Sequence, residues 1–278
     1  MDLTDVSLAL LSAVLHAGWN AAVKASPAPA QVMTSQMVLG AVLVVPALFF
    51  SGLPNLASFG WIAASTVMNV LTVSALLRAY ELGGFGLVYP VVRSLAVLMV
   101  VPLAVVATGE RLATAGLLGV LVIALALAIL AWDSARGTGI TRAAIGWTAA
   151  AGIGTAAYIM CDAQGVRLSG SPWAYGFVVS ITNAAAMAWR QRRAGLPWVQ
   201  VKAHWAFALP IAIASMGSYL IILWVWSHAP IAPAAALRDT SAIFAVLIAV
   251  FWLREPFTRM RIAAVLLAAA AIPLLRVG

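Results

Sequence analysis

The chain has 278 residues, of which 64% are hydrophobic and only 9% charged. A water-soluble domain carries roughly 25% charged residues, so this chain cannot hide its apolar surface in a core of its own and a bilayer must be its solvent. Its formal net charge of +8 would suit nucleic acid only if the basic residues lined one face. They sit instead at the ends of apolar runs, the pattern that flanks membrane spans, which excludes nucleic acid as the expected partner.

With about 20 residues per span, ten helices are predicted near 4–24, 31–50, 57–80, 86–108, 112–132, 143–162, 172–190, 204–227, 231–253 and 258–276, separated by clusters of proline, glycine and charge. The first follows acidic Asp2 and Asp5 without a basic leader, so no signal peptide is expected. Within it Ser12, His16, Asn20 and Lys24 recur every four residues, one polar line down a helix face. His16 could bind cargo, titrate, or satisfy a backbone carbonyl; Lys24 is expected to snorkel to the interface. Helix 3 offers Asn69, Thr72 and Tyr80. Helix 4 carries Tyr89 and Arg93, the arginine about eight residues inside the span. Helix 6 answers helix 1 with Thr148, Gly152, Thr155, Tyr158 and Asp162, Tyr158 being expected opposite Trp19. Helix 8 offers Ser215, Tyr219 and Trp226, and helix 9 holds "RDTS", with Arg238 and Asp239 adjacent. Helices 5 and 10 have no polar group at membrane depth and are expected to be scaffold or to face lipid. Trp132, Trp224, Trp226 and Trp252 lie near predicted membrane borders, as interfacial tryptophans do.

The chain repeats itself. "VYPVVRSLAVLMVVPLAVVATGERL" from Val88 resembles "AAALRDTSAIFAVLIAVFWLREPF" from Ala234. Arg93 and Glu110 in the first, and Arg238 and Glu255 in the second, are related by one shift of 145 residues. Two five-helix units, 1–136 and 137–278, follow. An odd number of spans per unit inverts the second relative to the first, the build of many secondary transporters whose substrate binds where the halves meet. The loops after helices 1, 3, 5, 7 and 9 hold eleven Lys and Arg residues, against Arg111, Arg167 and Arg276 on the other side. That bias predicts both termini on the non-cytoplasmic face. Glu110 and Glu255 are expected to cap the helices that follow them, or to pair with the arginines beside them.

"HAGWN", "YPVVRSLA", "TGERL", "LRDTSAIFAVL" and "LREPF", set in ten spans, resemble the drug/metabolite transporter superfamily, most closely its EamA-type members and a branch associated with phosphonate utilisation. The resemblance implies an all-α polytopic protein of ten transmembrane helices in two inverted repeats. It also implies alternating access around a central cavity, in a bacterial-type cytoplasmic membrane. Where many such sequences carry a proline in helices 4 and 9, Val97 and Ala242 stand here.

Charged groups at the bilayer centre cost at least ~2.5–3.5 kcal/mol, so Arg93 and Arg238 must face protein or water. Either they border one cavity, where a carboxylate, phosphonate or phosphate would bind them bidentately, or each braces its own half through helix-end carbonyls or Glu81. Adjacent on a helix, Arg238 and Asp239 point about 100° apart and cannot share one target. The expected substrate-binding residues are His16, Trp19, Asn20, Tyr89, Arg93, Tyr158, Tyr219, Arg238 and Asp239, with His16 and Asp239 as candidates for a coupling proton. No cofactor is expected, and no metal: the lone Cys161 excludes a multi-cysteine site, and no second His or carboxylate shares the His16 face. The chain carries no nucleotide loop and no hydrolase or metalloprotease motif. It therefore reads as a secondary transporter of a small anionic or zwitterionic metabolite, proton-coupled or facilitative, and as a monomer or weak homodimer. The alternatives are a flippase for lipid or lipid-linked substrates and an exporter of cationic amines.

Overall fold

The computed structural model describes residues 1–83, 85–135, 141–251 and 257–277. Among these the chain forms eleven α-helices: α1 Leu3–Ala25, α2 Pro29–Ser51, α3 Phe59–Gly83, α4 Phe85–Thr108, α5 Thr114–Ala135, α6 Arg142–Leu168, α7 Pro172–Arg190, α8 Pro197–Trp226, α9 Ile231–Asp239, α10 Ser241–Phe251 and α11 Arg259–Val277. Their ends follow local chemistry. Prolines open α2, α7 and α8, where the missing N–H is no loss. Asp2, Thr141 and Ser171 cap α1, α6 and α7 by accepting from backbone N–H groups. Gly52 stops α2 at φ 71°, a conformation a side chain would resist.

The protein is an all-α polytopic membrane protein. Nine stretches among the described residues are long and apolar enough to span a bilayer, with α9 and α10 together supplying one of them. The remaining long helix, α7, has 19 residues, about 28 Å of rise, but Ser180, Thr182 and Asn183 dilute its hydropathy. It survives because α2, α3 and α8 pack around it. Thr182 and Thr66 on α3 hydrogen-bond at 2.7 Å.

Two boundaries depart from expectation. Helix α6 runs on to Leu168, and α8 begins at Pro197. The ninth span is broken at Thr240. No proline is needed there: the Thr240 hydroxyl donates to the Leu237 carbonyl at 2.6 Å and its N–H to the same oxygen at 3.2 Å. Both bonds tighten the last turn of α9 and end its i to i−4 ladder.

Packing is reciprocal. Helix α1 lies against α8, and α3 against α6; α4 contacts α6, and α1 contacts α9 and α10; α2 meets α7, and α5 meets α11. Each contact is the counterpart of another, or of itself, when five helices are exchanged for five. Glycines allow the closest approaches: a Cβ on Gly154 of α6 would lie 2.4 Å from Thr72 Oγ1 of α3. Helices α5 and α11 run alongside each other, Gly119 over Leu275, apart from the polar interior as expected. Phe49, Phe50, Val106 and Trp132 project outward as lipid-facing groups.

At the end of the bundle that holds the termini, side chains lock the α8–α9 turn. Glu110 accepts from the N–H groups of Ile231 at 2.9 Å and Ala232 at 3.3 Å, capping α9. Arg167 donates to the carbonyls of Trp226 at 3.0 Å and Ala229 at 2.7 Å. His228 Nε2 lies 2.8 Å from Asp5 Oδ1. Glu110 thus caps a helix of the opposite half, not the α5 that follows it, because folding brings the α9 N-terminus beside it. Glu255 lies outside the described residues, as do Arg136, Trp252 and Arg254. The other end carries Lys24, Arg142, Arg190 and Arg259, and Arg261 Nε reaches Asp133 Oδ2 at 3.4 Å.

Candidate functional site

A cavity of about 150 Å³ opens between α1, α2, α3, α4, α6, α7, α8 and α9. Its lining runs from Asn20, Met33, Leu76 and Tyr89, in the third of their helices nearest the basic end, through mid-helix Thr155, Ser180 and Ala212 to Tyr219, in the third of α8 nearest the termini. The polar line of α1 divides its labour around it. Ser12 does not reach the cavity: its hydroxyl donates to the Ser218 carbonyl at 2.7 Å, and the Ser218 hydroxyl returns a bond to the Ser12 carbonyl at 2.8 Å, which stitches α1 to α8. His16 and Asn20 enter the cavity wall, and the Asn20 amide donates back to the His16 carbonyl at 2.8 Å. Lys24 is exposed at the helix end.

Two arginines from opposite halves converge on His16. Arg93 Nη2 contacts its Nε2, and Arg238 Nη2 lies 3.4 Å from its Nδ1. A guanidinium only donates, and a neutral imidazole has one acceptor nitrogen. His16 can therefore satisfy one arginine and not both. Arg93 also donates to Asp239 Oδ1 at 3.0 Å, an ion pair with both partners buried, and stacks 5.2 Å from the Tyr89 ring. Arg238 is otherwise poorly served. It is 4% exposed, its Nε and Nη1 have no hydrogen-bond partner, and among the described residues it has no salt bridge. The Trp226 ring lies 5.8 Å from its guanidinium carbon.

Eight of the nine expected residues line the cavity: His16, Trp19, Asn20, Tyr89, Arg93, Tyr158, Tyr219 and Arg238. Asp239 does not. It is fully buried behind the wall, turned about the helix from Arg238 and matched to Arg93 across the halves. The alternative partner for Arg93, Glu81, pairs with Arg78 at 2.6 Å instead, since the two sit three residues apart on α3. Trp226 is not an interfacial tryptophan: it is completely buried beneath Arg238, because α8 and α9 meet in a tight turn that folds it inward.

Sequence reasoning passed over the contributions of α2 and α7, Gln36, Ser180 and Asn183, although a polar residue in mid-span of each was the available signal. It also left Asp162 out of the site. The Asp162 carboxylate accepts from Ser65 Oγ of α3 at 2.5 Å and Tyr175 Oη of α7 at 3.2 Å on Oδ1, and from Tyr219 Oη of α8 at 2.9 Å on Oδ2. Four helices are tied by one acid, and Tyr219 joins it to the cavity.

Comparisons with known proteins agree with this architecture. Residues 142–277 match the model of the EamA-like transporter family, which names no branch within it. A crystal structure of a protein aligns over 98% of this chain and 95% of its own, with a TM-score of 0.73 and 17% identity, a likeness of fold alone. No curated protein matches the sequence.

Proposed function

We propose, from the premise that this chain belongs to the EamA-like transporter family through residues 142–277 and is a membrane transporter of small molecules, that its cargo is a small anion or zwitterion bound at Arg238. The observation that carries this reading is the buried guanidinium facing the cavity with two nitrogens unpartnered. Holding a cation inside a membrane protein is costly unless it is paired. A carboxylate, phosphonate or phosphate would supply the missing charge and accept from two guanidinium nitrogens at once. His16, Asn20 and Arg93 border the same space, while Trp19, Tyr89 and Tyr158 give it an aromatic wall suited to an organic substituent. A cationic amine would meet two arginines there, with Asp239 already matched and Asp162 behind Tyr219.

The transport cycle we infer is alternating access by the units 1–136 and 137–278, in a cytoplasmic-type membrane with both termini outside. The test is thermal stabilisation of the purified protein by a panel of amino acids, phosphonates, phosphates and organic amines, on wild type and Arg238→Gln. Stabilisation by anionic or zwitterionic compounds, abolished in the variant, is expected. Stabilisation by amines or lipids alone, equal in both proteins, would overturn the reading.

A further inference from the structure

We propose that Asp162 is the proton-binding site of the transport cycle and that Tyr219 carries the proton between it and the cavity; this rests on the transporter reading above. Asp162 is 1% exposed, in the last third of α6, and among the described residues it has no salt-bridge partner. The groups facing it are hydroxyls: Ser65 on α3, Tyr175 on α7 and Tyr219 on α8. On its own helix Cys161 is adjacent, and Arg238 on α9 is the cation whose field reaches it from beyond hydrogen-bond distance. The other titratable groups at membrane depth are committed otherwise. A proton on His16 would place a third cation between two guanidiniums. The charge of Asp239 is already matched by Arg93, behind the wall. Asp162 is the buried acid that no ion pair holds among the described residues, Arg238 acting on its charge only from beyond hydrogen-bond distance.

Tyr219 makes the connection. Its ring lines the cavity and its hydroxyl donates to Asp162 Oδ2 at 2.9 Å. A proton arriving from cavity water bonds to the Tyr219 oxygen as the proton already there moves to Oδ2. One O–H bond breaks at a hydronium in the cavity, leaving water, one forms and one breaks at the tyrosine, one forms at the acid, and the carboxylate becomes a neutral carboxylic acid. The new acid O–H then donates to the Tyr219 oxygen, so the tyrosine hydroxyl turns toward the cavity. In the charged state Tyr219 shows the cavity an acceptor; in the protonated state it shows a donor, which favours an anion. By linkage, proton and anion then promote each other's binding. Ser65 lies in the first half, whereas Asp162, Tyr175 and Tyr219 lie in the second, so the same proton also alters a bond between the halves.

Infrared difference spectroscopy of the full chain in liposomes, on a jump from alkaline to acidic buffer, tests this without any cargo. The expected result is a protonated-carboxyl C=O band that is absent in Asp162→Asn and retained in Asp239→Asn. In Tyr219→Phe the carboxyl remains but loses a hydrogen bond, so the band shifts, and it forms about 100-fold more slowly because the relay is gone. If Asp162→Asn does not fold, the shift and slowing in Tyr219→Phe decide. A band absent from the wild type, or unmoved in Asp162→Asn or in Tyr219→Phe, overturns the proposal. Since no substrate is added, such a failure is separate from failure of the anion reading, which the Arg238→Gln panel reports.

Discussion

The Arg93–Asp239 pair ties α4 to α9, and its removal has a calculable cost. Both side chains are buried, 7% and 1% exposed, with Arg93 Nη1 3.0 Å from Asp239 Oδ1. Asp239→Asn keeps the shape and an acceptor oxygen but strips the charge. Arg93 is then left as a buried cation sharing His16 with Arg238. Breaking a buried pair from one side costs about 3–5 kcal/mol, a factor of roughly 10² to 5 × 10³ in the unfolding equilibrium. Arg93→Gln leaves the carboxylate unmatched and costs a similar amount. The double variant removes both charges and leaves only neutral amides to satisfy, so its loss falls to about 1–3 kcal/mol. The cycle therefore has a coupling of at least about 3 kcal/mol, measured by reversible unfolding of the four proteins in mixed micelles or bicelles. Additivity within about 0.5 kcal/mol would refute the reasoning, because it would mean that neither charge depends on the other.

Further expectations follow from single contacts. Gly154→Ala drives its Cβ to 2.4 Å from Thr72 Oγ1 and costs about 1–3 kcal/mol in the same unfolding measurement. Thr72→Ala restores most of that loss, since the hydroxyl it removes has no hydrogen-bond partner; failure of the rescue would place the clash elsewhere. Glu110→Ala strips the cap from α9 and costs about 1–2 kcal/mol, read as a fall in Tm of a few degrees. Glu110→Gln keeps an acceptor oxygen and loses only the charge near the helix N-terminus, about 0.5–1 kcal/mol, so an equal loss in both variants contradicts the cap.

Much of the fold was legible because a bilayer imposes one requirement on every span. Hydropathy located the helices, and the shared shift singled out Arg93 and Arg238 as residues that either border one cavity or brace their own halves. What it could not place was polarity directed across helices. Ser12 and His16 sit one turn apart on the same face, yet one is consumed by α8 and the other lines the cavity. Periodicity is blind to which neighbour lies opposite. Trp226 was misplaced for a related reason: its position near a span end suits an interface, but the turn that follows folds it under Arg238. The break at Thr240 carries no proline or glycine signal, only a threonine hydroxyl able to compete for a backbone carbonyl. Asp162 was visible as part of a helical polar line, but its weight came from Ser65, Tyr175 and Tyr219 on three other helices.

The most informative asymmetry can be read back into the sequence. The 145-residue shift that matches Arg93 to Arg238 also matches Ser94 to Asp239. If the halves were chemically identical, each arginine would find the acid that follows its twin. Arg93 does find Asp239, from the opposite half. Arg238 would have to find residue 94, and there the chain has a serine, whose hydroxyl donates to the Ala124 carbonyl of α5 at 3.2 Å. One reciprocal ion pair is thus present and its mirror image is missing. The present pair ties α4 to α9. The missing one leaves the Arg238 guanidinium in the cavity wall without a salt bridge among the described residues, the unmatched charge on which the proposed anionic cargo rests. On this argument Ser94→Asp is the substitution that would close the site from within: it would complete the second pair and compete with anionic cargo for Arg238.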